Sequence, residues 1–155
     1  MKIVVVAVGT RMPAWAADAF ADYAKRMPPE LRVELKAVKA EPRGSRTAAQ
    51  AMAAEAARID AAIPRGARRV CLDEHGERVT SAALAARLAS WQRGGADAAL
   101  VIGGADGLDP ALKDRCDETI RVSDLTLPHA LVRVVVAEAL YRAATILAGH
   151  PYHRE

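Results

Sequence analysis

The sequence predicts a single α/β domain, spanning residues 1–155, built on a largely parallel sheet. Three observations lead there. Apolar, β-branched runs of strand length recur, as in KIVVVAVG at 2–9 and DAALVIGG at 97–104, and continuous runs of this kind mark strands buried on both faces. Stretches with apolar residues at helical spacing separate them. Capping and breaking residues stand at the joins. Strands alternating with helices assemble as a parallel sheet, and 155 residues suffice for one core without staples.

The elements follow in order. After the first strand, a helix begins near Pro13, a residue suited to a first turn, with Ala16, Phe20, Tyr23 and Met27 as its stripe and Pro28-Pro29 as its stop. A second strand covers Arg32–Val38. The basic loop EPRGSR (41–46) leads to Thr47 and Gln50, spaced as a capping box. The helix they open carries Met52, Ala56, Ile59 and Ile63. ARRVCLD (67–73) is a third strand. A helix from Thr80 to Arg93 buries Leu84, Leu88 and Trp91 and ends at Gly94-Gly95. After the fourth strand, Asp109 and Pro110 start a short helix that runs through Cys116. ETIRVS (118–123) is the fifth strand, and 125–149 form a long last helix with Pro128 in its first turn. This helix is apolar around most of its girth. Val132, Val136, Leu140, Ala143 and Leu147 share one face, which points to an isologous dimer seam.

Composition narrows the function. No apolar run approaches a membrane span, and no basic leader precedes the first strand. Cys71 and Cys116 lie far apart with no CxxC and no metal-ligand spacing. They read as free thiols in a reducing, cytoplasmic protein without a metal. Residues 1–69 hold 13 Lys and Arg against 7 Asp and Glu, whereas 70–155 hold 9 against 12. A basic half can attract phosphate backbones, with Lys25, Arg26, Arg43 and Arg46 as contacts, or can simply be solvated. Dinucleotide, nucleoside-triphosphate and nucleophile-elbow fingerprints are absent.

In a parallel sheet, ligands bind beyond the carboxyl ends of the strands. Here those ends are Leu72-Asp73, the stretch Gly103 to Gly107, and Ser123 to Pro128. The paired glycines would let a ligand approach the backbone, although ordinary turn chemistry accounts for them equally well. Asp73 and Asp106 are acid/base candidates or turn caps, and His129 reads as structural. The chain closes on HPYHRE, which holds two of its four histidines. Such an end is a solvated stub or a working tail stiffened by Pro151.

The segments VAVGTRMP, VCLDEHG, LVIGGADGL, LTLPH, LVRVVVAEALYRA and GHPYHRE together resemble the bacterial SPOUT-class methyltransferases that methylate N3 of a pseudouridine in large-subunit (23S) ribosomal RNA. The resemblance runs the whole chain in order. It implies a C-terminal trefoil knot, a homodimer packed through the last helix, and S-adenosylmethionine as cofactor. It places the cofactor at Leu72, Gly103, Gly104, Ser123, Asp124, Leu125, Thr126, Leu127 and Pro128. It makes Tyr152, His153 and Arg154 the catalytic residues, with Arg133 a second candidate for holding charge or phosphate. The alternative is a non-catalytic α/β dimer that binds the ribosome or a nucleotide-like ligand.

Overall fold

A computed structural model describes residues 1–154. Five strands, β1 (Lys2–Val8), β2 (Arg32–Val38), β3 (Arg68–Arg78), β4 (Ala98–Ile102) and β5 (Glu118–Arg121), alternate with α1 (Ala14–Arg26), α2 (Ala48–Ala62), α3 (Ser81–Gly94), α4 (Pro110–Asp114) and α5 (His129–Ala148). A short 3-10 turn covers Pro151–Arg154. The sheet order is β2-β1-β4-β3-β5, and every pairing is parallel.

The alternation of β1 divides the core. Ile3, Val5 and Ala7 face a layer that includes Phe20 of α1, Leu84, Leu88 and Trp91 of α3, and Val136 and Leu140 of α5. Val4, Val6 and Val8 face Ala56 and Ile59 of α2 and Leu112 of α4. A strand with period-two side chains and helices on both faces must be apolar at every position, which is why the run reads IVVVAV.

Local signals set the boundaries. Thr47 and Gln50 form the capping box, Thr80 caps α3 by accepting from the Ala83 N–H, and Gly95 closes α3 in the left-handed region at φ 77°. The last helix starts later than its apolar pattern suggests. Pro128 is extended, with ψ 150°, and serves as the N-cap rather than as part of the first turn. A residue before proline is steered away from helical angles, so 125–127 remain a loop, where the Leu125 N–H donates to Ser123 Oγ. The fourth helix is also shorter than expected and leaves Cys116 outside it. β3 runs on to Arg78, but its register with β5 jumps between Leu72 and Glu77. Residues 73–76 bulge out of the ladder there. Gly76 packs directly against β5, and a Cβ on it would stand 2.6 Å from the Ile120 carbonyl carbon.

Two expectations need correction. Cys71 and Cys116 are joined in a disulfide, with Cα atoms 6.1 Å apart. A sequence separation of 45 concealed that the turn into β5 lies beside β3, where the Asp117 N–H donates to the Arg69 carbonyl. The inference from cysteine spacing to free thiols and a reducing compartment therefore loses its support. The face of α5 assigned to a dimer seam is also largely internal. Leu140 and Ala143 have no exposed surface and Val136 is buried within its own chain. The half-exposed apolar residues of α5 include Leu131, Val134, Val135, Ala139 and Ile146.

Arg133 is not a surface cation. It is buried, and its Nη2 donates to the carbonyls of Val8 (3.0 Å) and Gly9 (2.7 Å). Nη1 reaches Met12 Sδ at 3.7 Å. Burial lowers its pKa, and the buried Val8 carbonyl would lose this donor without it. Arg133→Met should therefore lower stability by ~1–3 kcal/mol, the usual cost of orphaned buried acceptors. Urea unfolding at fixed protein concentration checks this, and an unchanged midpoint would show that the guanidinium contacts are energetically neutral.

Candidate active site at the carboxyl edge of the sheet

Three segments, one a bulge inside β3 and two that leave the carboxyl ends of β4 and β5, wall a cleft of about 430 Å³. That volume lies within the usual range for small-molecule sites, roughly 300–1,000 Å³. The first segment is the 73–76 bulge, the second is 103–108, and the third is 122–127 with the first turn of α5. Apolar side chains at Leu72, Ile102, Leu108, Val122, Leu127 and Val132 meet polar ones at Asp73, His75, Asp106, Lys113, Ser123, Thr126 and His129. Asp73 is fixed from two sides. Its Oδ2 accepts from the His75 N–H at 3.1 Å, and its Oδ1 lies 3.6 Å from Lys113 Nζ.

Seven of the nine expected cofactor residues line this cleft: Leu72, Gly103, Gly104, Ser123, Leu125, Thr126 and Leu127. Asp124 and Pro128 do not. The Asp124 carboxylate turns outward, accepts from Arg121 at 2.8 Å and Arg78 at 3.2 Å, and is held below the ordinary carboxylate range chiefly by the Arg121 hydrogen bond. Pro128 acts on the helix start. Leu125 projects into solvent at 76 % exposure, so an apolar side chain at the cleft mouth has no intrachain cover.

The two glycines serve a different purpose from the one expected. A Cβ on Gly103 would meet the Gly107 carbonyl carbon at 2.7 Å, and one on Gly104 would meet Val8 Cγ1 at 3.0 Å and the Glu55 carboxylate at 3.1 Å. Both directions point into protein. The loop is glycine-rich because it doubles back, with the Gly107 N–H on the Gly104 carbonyl, and packs closely on β1 and α2. Its backbone lines the cleft as a consequence. Glu55, which sequence reasoning placed on no stripe, is buried here and accepts from the Glu41 N–H at 3.1 Å.

The tail lies elsewhere. Tyr152 OH donates to Glu138 Oε1 at 3.0 Å, the atom that also accepts from Arg142 Nε at 2.9 Å. The Tyr152 ring stands edge-on to Tyr141 with centroids 4.7 Å apart, and Arg142 lies over it at 5.0 Å. Tyr141 continues to Tyr23, and Arg26 stacks on both. Burial, with the Glu138 carboxylate adding, raises the Tyr152 phenol pKa above its ordinary range. Among the described residues, His153 Nδ1 is buried with no hydrogen-bond partner. Tyr23 and Arg26 belong to the last turns of α1, which feed β2 at the amino edge of the sheet. The cleft is at the carboxyl edge, so strands of five to seven residues put roughly 15–20 Å between them. Tyr152, His153 and Arg154 are thus brought together with one another but not with their own chain's cleft.

Residues 1–153 match a family model described as predicted SPOUT methyltransferase. The chain is 65 % identical over 156 residues to ribosomal RNA large subunit methyltransferase H of Leptothrix cholodnii, covering 100 % of both chains. It is 65 % identical over 155 residues to the protein of the same name from Paracidovorax citrulli, again covering 100 % of both. Among solved structures it is similar to a probable methylase family protein from Haemophilus influenzae, with a TM-score of 0.55 at 14 % identity over 97 % of this chain and 69 % of that one, a likeness of fold. On the full-length family match and these relatives, the chain belongs to the SPOUT methyltransferase family.

Proposed function

We propose that this protein methylates N3 of a pseudouridine in large-subunit (23S) ribosomal RNA. As a member of its family it is a methyltransferase that uses S-adenosylmethionine, and the names of its relatives specify large-subunit ribosomal RNA. The observation that carries the reading is the carboxyl-edge cleft, which has apolar walls for an adenine-like ring and polar groups at Ser123, Thr126 and Asp73. The donor set fits the cofactor. Backbone groups of 123–127 can hydrogen-bond a base edge, and carboxylates suit a cationic ligand. When bound, S-adenosylmethionine supplies an electrophilic methyl group. A knotted C-terminal path is expected of the family, and a ribosomal RNA substrate supports a cytoplasmic enzyme. A Cys71–Cys116 disulfide is uncommon in a reducing compartment, and the cytoplasmic reading rests on the ribosomal RNA substrate.

The chain's residues divide the remaining work. The cleft loops hold and orient the donor. Stripping the imide proton and holding charge on the ring call for a base near neutrality and for cations. His153 and Arg154 offer both, and Tyr152 can stack on or hydrogen-bond a base. Since the tail is remote from its own cleft, a second copy must supply it. Two α5 helices packed antiparallel about a two-fold axis place the carboxyl end of one beside the amino end of the other. The half-exposed Leu131, Val135, Ala139 and Ile146 give such a seam its apolar face.

Purified protein with S-adenosylmethionine should add one methyl group per large subunit to ribosomes from a strain lacking the enzyme, read by mass spectrometry of the ribosomal RNA. Cofactor binding without transfer would favour the non-catalytic dimer instead. Removal of residues 152–155 should leave cofactor affinity within about twofold. It should cut turnover by ~10²–10⁴, the span of general acid–base catalysis. Normal turnover in a truncated dimer would remove the tail from the mechanism. Val135→Glu should yield a folded monomer in sedimentation that still binds cofactor by calorimetry but does not turn over; a native dimer would place the seam elsewhere.

A further inference from the structure

The segment between β2 and α2 is built as a rigid strap although it has no regular structure. Its keystone is Glu41, whose side chain is only 10 % exposed. The Glu41 carboxylate accepts from Arg58 and lies 3.2 Å from Arg46 Nε, and its backbone N–H donates to Glu55. Arg58 reaches back to the Lys39 carbonyl at 3.0 Å. The Arg58 hydrogen bond is the main reason that Glu41 stays below the ordinary carboxylate range. A turn follows at Gly44, at φ 43°, closed by the Arg46 N–H on the Arg43 carbonyl.

The strap separates its charges by depth. The acids lie beneath: Glu55 is buried, and Glu41 and Asp106 show 10 % and 23 % of their side chains. The cations lie above: Arg43 and Arg46 are 56 % and 51 % exposed, and Lys39 is exposed as well. Solvent therefore meets a cationic ridge whose counter-charges fix its geometry from below. The Gly9 N–H on the Val38 carbonyl sets this ridge on the carboxyl edge, the edge that carries the cleft. Arg43 connects the two, since its Nη2 is 2.9 Å from Asp106 of the cleft wall.

We propose that residues 39–46 form a phosphate-gripping strap for the RNA substrate, in which Arg43, by bridging Asp106 and a backbone phosphate, sets the distance between the RNA backbone and the cleft. The inference rests on the RNA-methylating reading above. A guanidinium presents five donors in a planar fork, so one edge can hold the carboxylate while another meets phosphate oxygens. A lysine at this position offers charge without that fork. Arg46, which also pairs with Glu41, and Lys39 contribute affinity without setting that distance.

Steady-state methylation of unmodified ribosomes, measured across a salt series, tests this with exposed residues whose replacement spares the fold. Arg46→Ala should raise KM several-fold and leave kcat unchanged. It should also flatten the dependence of log KM on log salt by about 0.7–0.9, the increment per lost phosphate contact. Arg43→Ala should do the same and also lower kcat about tenfold, because the reacting base is misplaced. Arg43→Lys should restore the salt slope but not kcat. Unchanged KM and slope in both alanine variants, with wild-type protein methylating normally, would overturn the strap while leaving the proposed function intact; a wild type that fails to methylate would instead sink that function. Raised KM on ribosomes without weaker binding to deproteinised 23S ribosomal RNA in a filter assay would mean that the strap meets a ribosomal protein, which also overturns the proposal.

Discussion

One buried cation ties the halves of this molecule together. Arg133 enters from the second turn of α5 and donates to the carbonyls at the end of β1. The Val8 carbonyl closes β1 and is buried at this contact, so losing the donor would leave a buried acceptor unpaired; the Gly9 carbonyl, just past the strand, is part-buried. The guanidinium fixes where α5 begins relative to the carboxyl edge, and with it the 122–127 loop. The cleft wall is thus held by a residue that touches no ligand. Val132, one position earlier, faces the cleft, so a shift of the helix there would be felt in the site.

Much of this architecture is legible in the sequence, for identifiable reasons. β1 is readable because burial on both faces leaves no place for a polar residue, and α2 and α3 are readable because Thr47 and Thr80 cap them as their types predict. The start of α5 is misread because 125–127 are as apolar as a helix face, and only the proline at 128 betrays them. Pairing of Cys71 with Cys116 is invisible to spacing, since it depends on β3 and the approach to β5 being neighbours. The bulge at 73–76 is hidden likewise. Gly76 hints at it, but a lone glycine does not say that Ile120 presses against its backbone.

The site was legible in part. Its loops follow from the rule that ligands sit beyond the carboxyl ends of parallel strands, and seven expected cofactor residues line one cleft. The glycines line the cleft, but a Cβ on either would point into protein rather than toward a ligand. Their missing side chains make room for Gly107, Val8 and Glu55, not for a ligand. Glu55 escaped notice because a carboxylate on an alanine-rich helix reads as surface, and its burial depends on the Glu41 backbone N–H that it accepts. The location of the tail was not legible at all. Nothing in HPYHRE indicates that Tyr152 would be anchored through Glu138 and Tyr141, toward the amino edge of the sheet.

That location underlies the proposal that a working site combines the cleft of one chain with the tail of another. Mixing two inactive proteins tests it directly. Ser123→Trp fills the cleft but keeps the tail, and a chain lacking residues 152–155 keeps the cleft but has no tail. After the two are unfolded and refolded together, half of the dimers should be mixed, and each mixed dimer carries one complete site. Methyl transfer to ribosomes should then recover to about a quarter of the wild-type rate per chain, a simple mixing estimate for freely exchanging two-fold dimers. If the mixture stays as inactive as either parent while sedimentation shows mixed dimers, the tail serves its own chain's cleft and the account is wrong.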